Sequence, residues 1–167
     1  MMRAVSKTVG RRHHRALVDV LDFIPENHPQ RSDLIQLMHG LADTLPKYQD
    51  ANGLGYQVLD KPEYEGNHHE ASAPSMFIYG YAEAVKKGYL DEKYLSVAEK
   101  AYNGLMQDLM VENSDSTLTL TQCCVVSGLG GHPYRDGSVD YYVNERVREN
   151  DAKATGPFIT GCLYLGR

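Results

Sequence analysis

Apolar side chains recur at helical spacing through most of this chain. After about fifteen residues with no clear period, Ala16, Leu17, Val20, Leu21 and Ile24 fall on one stripe, with Asp19 and Asp22 outside it. That is the repeat of an amphipathic helix. Pro25 stops it, and Asn27-His28-Pro29 reads as a turn. A second helix is predicted over residues 32–48, with Leu34, Leu37, Met38, Leu41 and Leu45 as its apolar face. Pro46 must kink or end it, because proline has no N–H to give and clashes with the preceding turn. Asp50-Ala51-Asn52-Gly53 is a turn signal, residues 55–59 look extended, and residues 60–69 form a charged loop. A third helix is predicted over 70–87, with Pro74 in its first turn and Gly88 to end it. Met76, Phe77, Tyr79, Tyr81 and Val85 leave it apolar around much of its circumference, so it belongs in the core. Asp91 can cap a fourth helix over 91–110, with Tyr94, Leu95, Ala98, Ala101, Tyr102 and Leu105 inward. Residues 117–122 alternate Thr with Leu and read as a short strand. A fifth helix is expected over 139–147 and a last one from Gly156-Pro157 to the C-terminus.

The order helix, Asn/Asp turn, short strand, loop, helix occurs over 32–88 and again over 91–148, an offset of about 60 residues. Repeated helical hairpins of this length build toroids and solenoids. The repeat sets two loop-to-helix junctions in equivalent places, Asn67-His68-His69-Glu70-Ala71-Ser72 and Tyr134-Arg135-Asp136-Gly137-Ser138.

Composition narrows the classes. At 167 residues, 42% hydrophobic and 23% charged, this is one ordinary globular domain or part of a larger one. Seventeen basic against 22 acidic residues give a net charge of −5, which opposes general nucleic-acid binding. No apolar run reaches the roughly 18 residues of a membrane span. The first residues carry charge with no apolar run behind them, so no secretory leader is expected. Cys123, Cys124 and Cys162 form no CxxC pair and read as reduced thiols of a cytoplasmic protein.

The two junctions carry the candidate chemistry. A helix N-terminus offers free N–H groups that suit a carboxylate or an oxygen-rich ligand. Asp136 or Ser138 serves equally as a plain N-cap. Arg135 is the most pointed single residue. It lies in the glycine-rich stretch 127–137, which brings backbone close to a ligand, and arginine presents a rigid fork for a carboxylate. Its structural alternative is an ion pair with Asp136 or Asp140. Gly128-x-Gly130-Gly131 lacks the Lys-Ser/Thr of a phosphate loop. His13-His14 and His68-His69 lack the spacing of a metal site, and no nucleophile elbow is present. His69-Glu70 could supply acid/base groups, beside the reading of a solvated loop histidine.

Several segments carry a family resemblance in their order: Gly53-Leu54-x-Tyr56-Gln57-Val58-Leu59-Asp60, Glu70-Ala71-Ser72-Ala73, Gly128-Leu129-Gly130-Gly131, Tyr134-Arg135-Asp136-Gly137-Ser138, Asn150-Asp151-x-Lys153 and Gly156-Pro157-Phe158-Ile159. From Ala16 to Ile159 the chain resembles the unsaturated rhamnogalacturonyl hydrolases of glycoside hydrolase family 105, close to family 88. The resemblance implies an all-α fold, an (α/α)6 toroid of paired helices with short β-hairpin pieces in its loops. It also implies a substrate, pectin-derived oligosaccharides ending in 4,5-unsaturated uronic acid. The family hydrates the double bond with an Asp as general acid/base and without metal or cofactor, unlike the usual displacement at the anomeric carbon.

This sequence departs from the family in three ways. About six helices are counted where a full toroid has about twelve, so the chain resembles the C-terminal half only. The catalytic Asp falls in the other half, and no residue here takes that role. The family's Trp-rich segment before Ala16 is replaced by residues 9–15, and Gly55 stands where the family usually has Trp; the chain has no Trp at all. Residue 69, usually Leu, is His69. The expected organisation is an irregular segment 1–15 followed by a half-toroid over 16–167. The substrate-binding residues carried over are Tyr134, Arg135 and Asp136, then Glu70 and Ser72. Three readings stand: a half-length hydrolase inactive alone, a non-catalytic carbohydrate-binding remnant, and a helical-repeat interaction module. Half a toroid also exposes apolar helix faces, so a complementary half or self-association is expected.

Overall fold

The computed structural model describes residues 7–167, with side chains from His14 onward. Among these are six α-helices: α1 (Lys7–Leu21), α2 (Arg31–Thr44), α3 (Ser72–Lys86), α4 (Leu95–Gly104), α5 (Val139–Val143) and α6 (Ala152–Leu165). Two small antiparallel pairs lie in the connections, β1 (Met110–Glu112) with β2 (Leu118–Leu120), and β3 (Cys123–Cys124) with β4 (Val147–Arg148). The all-α expectation holds, with the strands confined to loops.

Side-chain pairings set the helix directions. His14 lies against Gly80 and Tyr81, the Tyr79 hydroxyl donates to Asp19, and Lys87 bonds Asp22, so α1 and α3 run parallel. Gly161 abuts Ile78, and Tyr164 donates to Glu83, so α6 also runs parallel to α3. Tyr102 stacks on Phe158 while Glu99 meets Arg167, so α4 runs antiparallel to α6. The result is an inner row α1–α3–α6, backed by α2 and α4 running the other way.

The apolar run of α3 explains its place at the centre. Residues 72–84 are all buried, because α3 serves two cores at once. One joins Leu17, Val18, Leu21, Met38, Ala42, Phe77, Tyr81 and Tyr94; the other joins Leu54, Ile78, Ala101, Leu105, Leu120 and Ala154. Complete burial of a side chain such as Ile78 contributes about 2 kcal/mol. Gly161 makes the α3–α6 contact possible: a Cβ there would stand 2.6 Å from Ile78 Cγ2 and 2.9 Å from the Tyr79 amide nitrogen. Gly88, at φ +74°, ends the helix as expected.

Several expectations are corrected. Helix α1 starts at Lys7, so residues 7–15 are helical rather than irregular; residues 1–6 lie outside the described residues. Its buried face is His14, Leu17, Val18 and Leu21, whereas Ala16 is exposed and Val20 is 45% exposed. Helix α2 ends at Thr44, and Pro46 sits in a 3-10 turn, Leu45–Tyr48, as its missing N–H requires. The fourth helix gives way to a π-turn and then β1, because Met110–Glu112 pairs with β2. Helix α5 is only five residues long. Helix α6 starts not at Gly156 but four residues earlier, at Ala152, where the Asp151 carboxylate accepts the Lys153 N–H, and Pro157 lies inside it. The structural counterpart of α3 is therefore α6, 80 positions on (Ser72 to Ala152), not α5.

Candidate functional site

The inner-helix N-termini gather at one end of the row, and the two helix entrances are built alike. Glu70 precedes α3 and is fully buried. Its Oε2 accepts from Ser72 Oγ (3.0 Å) and the Ala73 amide (3.2 Å), and its Oε1 accepts from the Cys124 amide (3.2 Å). The carboxylate thus caps α3 and ties it to β3. Asp151 does the same for α6. Its Oδ1 accepts the Lys153 amide (2.9 Å), and its Oδ2 bonds Lys153 Nζ and Arg148 Nε (both 2.5 Å). Burial alone would raise the Asp151 pKa, but the bonds from Lys153 and Arg148 outweigh it and hold it near 2. Sequence reasoning quoted Asp151 in a motif but missed its position; an Asp just before a helical run was the available signal.

The glycine-rich loop is built differently. Gly130 and Arg135 pair through their backbones (2.8 and 3.1 Å). This narrow loop frames a cavity of about 260 Å³ lined by Leu129, Gly130, Tyr134, Arg135, Asp136, Gly137 and Tyr142. Tyr134 is 79% exposed. The ion-pair alternative for Arg135 does not hold: its guanidinium forms neither an ion pair nor a side-chain hydrogen bond among the described residues, and Asp140 instead accepts from Tyr64 (2.7 Å). Asp136 accepts the Ser138 amide (2.8 Å), a bond that lowers its pKa, and Ser138 Oγ accepts the Tyr141 amide (3.1 Å). Of the two capping candidates Ser138 is the N-cap of α5, while Asp136 closes the turn just before it. His69 is half-buried and pairs with Asp50 (3.1 Å) beside the Tyr56 ring.

The structure thus brings Glu70 and Ser72 together in the interior and sets Tyr134, Arg135 and Asp136 around a surface cavity. Between them runs a bonded chain that sequence reasoning missed. Gln57 Nε2 donates to Cys124 Sγ and Ser127 Oγ (both 3.1 Å), which joins β3, itself bonded to Glu70, to the start of the glycine-rich loop. Gln57 Oε1, His68 Nε2 and Tyr141 Oη are buried without a hydrogen-bond partner among the described residues. Orphaned buried polar atoms of this kind mark a place for bound water or an oxygen-rich ligand. No local pattern announces them, since their burial comes from distant segments. Among the described residues, no group of three His, Cys, Asp or Glu side chains is placed to hold a metal. No described helix is long and apolar enough to cross a membrane.

An inner row of parallel helices, antiparallel partners behind it and polar loops over the inner N-termini define an arc of an α/α-hairpin toroid. The chain matches the profile of Glycosyl Hydrolase Family 88 over residues 14–164, and it belongs to that family. It superposes on a Clostridium acetobutylicum glycoside hydrolase from family 105 with TM-score 0.93 and 35% identity, over 99% of this chain and 46% of the other. A possible family 105 member from Klebsiella pneumoniae gives TM-score 0.77 at 26% identity, over 97% and 39% of the two chains. Among curated proteins, Protein Atu3128 of Agrobacterium fabrum and the 24.9 kDa protein in the picA locus of Rhizobium radiobacter are each 34% identical over 150 residues. That is 86% of this chain and 64% of theirs. The chain therefore spans less than two thirds of those relatives and less than half of the superposed structures.

Proposed function

We propose that this chain is the C-terminal, sugar-binding arc of an unsaturated rhamnogalacturonyl hydrolase. Its ligand is the 4,5-unsaturated uronic acid at the end of a pectin-derived oligosaccharide. The observation that carries the reading is Arg135, a guanidinium without a counter-ion among the described residues, on a cavity edged by exposed Tyr134. An arginine fork recognises a carboxylate in two parallel hydrogen bonds, and a tyrosine face packs on a sugar ring. Family membership supports a carbohydrate substrate.

The arc alone binds but does not turn over. Its two buried acids at this end, Glu70 and Asp151, are committed to capping bonds at both oxygens. A group so held is a poor proton shuttle. This favours, as the second reading, a non-catalytic carbohydrate-binding role over an enzyme complete in itself. Three free thiols support a reducing compartment such as the cytoplasm.

The test is calorimetric titration with an unsaturated galacturonyl-rhamnose disaccharide, alongside loss of its ultraviolet absorbance. Binding that Arg135→Ala weakens at least about tenfold, without turnover, is the expected result. Turnover by the isolated chain would overturn the inactive-arc reading. Absence of binding by folded protein would overturn the substrate.

A further inference from the structure

Gln57 is fully buried, yet its amide is only half satisfied. Its Nε2 donates to Cys124 Sγ and Ser127 Oγ (both 3.1 Å), while its Oε1 has no hydrogen-bond partner among the described residues. A side chain kept only to fill the core would not bury an unpaired acceptor, since an apolar chain of the same length fills the space without that cost. The two N–H groups therefore account for the residue. One meets β3, and the other meets Ser127, the first residue of the glycine-rich loop. Cys124 Sγ and Ser127 Oγ also touch each other (3.1 Å), so the three side chains form a closed triangle at the root of the loop.

The triangle holds the arm that carries Arg135. The incoming arm, residues 127–131, meets Arg135 twice. Gly130 and Arg135 exchange both backbone hydrogen bonds (2.8 and 3.1 Å). The guanidinium lies against Gly131, where an added Cβ would stand 2.9 Å from Arg135 Nη1. The same arm braces the outgoing one, because a Cβ on Gly137 would stand 2.7 Å from Leu129 Cδ2. The guanidinium has neither an ion pair nor a side-chain hydrogen bond among the described residues to fix its own place. It takes its place from the arm, and the arm takes its place from Ser127. We infer that Gln57 is a positioning residue for Arg135: through Ser127 it sets the incoming arm of the glycine-rich loop so that the guanidinium fork stands at the cavity. This role rests on the proposed uronate site for its ligand, but not for its geometry.

Gln57→Met and Ser127→Ala test this, each read by its melt, by the rate of tryptic cleavage after Arg135 and by titration with the unsaturated galacturonyl-rhamnose disaccharide. Gln57→Met keeps the length and removes the donors. Ser127→Ala removes the acceptor at a half-buried position, which keeps the test open if the core variant fails to fold. Cleavage needs local opening of the loop and no sugar. Each variant is expected to melt close to wild type, to be cut after Arg135 about five- to tenfold faster, and to bind the disaccharide weaker by the same factor, the scale of one buried hydrogen bond. The double variant should match either single one, because both break the same link. Ser127→Thr keeps the hydroxyl and should restore both cleavage rate and affinity. Wild-type cleavage and affinity in folded Ser127→Ala would overturn the proposal. So would losses that add in the double variant, or a lowered melt with cleavage unchanged. If the wild-type chain binds no disaccharide, the uronate reading fails, and cleavage after Arg135 still decides whether Gln57 positions the loop.

Discussion

The entrance to α3 and the glycine-rich loop each hold a charged side chain and put it to opposite uses. At the entrance, Glu70 and Ser72 are buried and every oxygen of the carboxylate meets a donor. In the loop, Arg135 stands at the rim of a cavity with no counter-ion among the described residues. A charge enclosed by protein must be satisfied by protein, and once satisfied it holds structure. A charge left at a concave surface keeps its bonds for a ligand. The first region is therefore architecture and the second is where the proposed uronate recognition sits, although both looked like binding junctions in the sequence.

The sharpest way to break this comparison is Glu70→Ala. It strips donors on Ser72, Ala73 and Cys124 of their acceptor, and a loss of about 4 kcal/mol is expected, read as a urea midpoint shift. A variant that melts like wild type would return Glu70 to the list of ligand-binding residues.

Acid sensitivity comes next. His14 is fully buried, neither ring nitrogen has a partner among the described residues, and burial lowers its pKa from 6.5 to about 4. The unfolded chain takes up a proton below pH 6.5 that the folded chain refuses. Stability is thus complete above pH 6.5 and falls as pH drops toward 4, by about 3 kcal/mol in all. Asp151 adds a separate loss, between its ordinary 3.8 and about 2. His14→Phe should flatten the profile between pH 6.5 and 4 and leave the lower limb; an unchanged profile would assign the acid loss elsewhere.

Arg135→Ala should do the reverse of Glu70→Ala. Its melt is expected within about 0.5 kcal/mol of wild type, with uronate affinity lowered about 10- to 100-fold. Arg135→Lys keeps the charge without the fork and should recover only part of the affinity. Asp136→Asn is the mildest change. It preserves the acceptor for the Ser138 amide, and affinity should stay within about threefold, as measured in the same titration.

How legible each element was follows from how local its cause is. Helix α3 was legible because its apolar run, Pro74 and Gly88 all act within its own length. The start of α6 was read too late. Pro157 resembles a first-turn proline, but the Asp151 cap five residues before Gly156 starts the helix, and a proline inside it is tolerated. The short β1 was absorbed into the preceding helix, since only its pairing with β2 makes Met110–Glu112 extended. The α1 stripe was half right. The sequence carries apolar residues on two faces, and the packing of α3 buries just one of them.

The sequence by itself determined the family, the all-helical class and the Arg135 loop, because these rest on local periodicity, turn chemistry and short motifs. Only the tertiary structure decided that α6 rather than α5 is the counterpart of α3, and that Glu70 caps α3. It also decided which faces of α1 and α6 are buried against α3. These depend on what residues distant in the chain place beside one another, and burial and hydrogen-bond satisfaction are properties of that assembly.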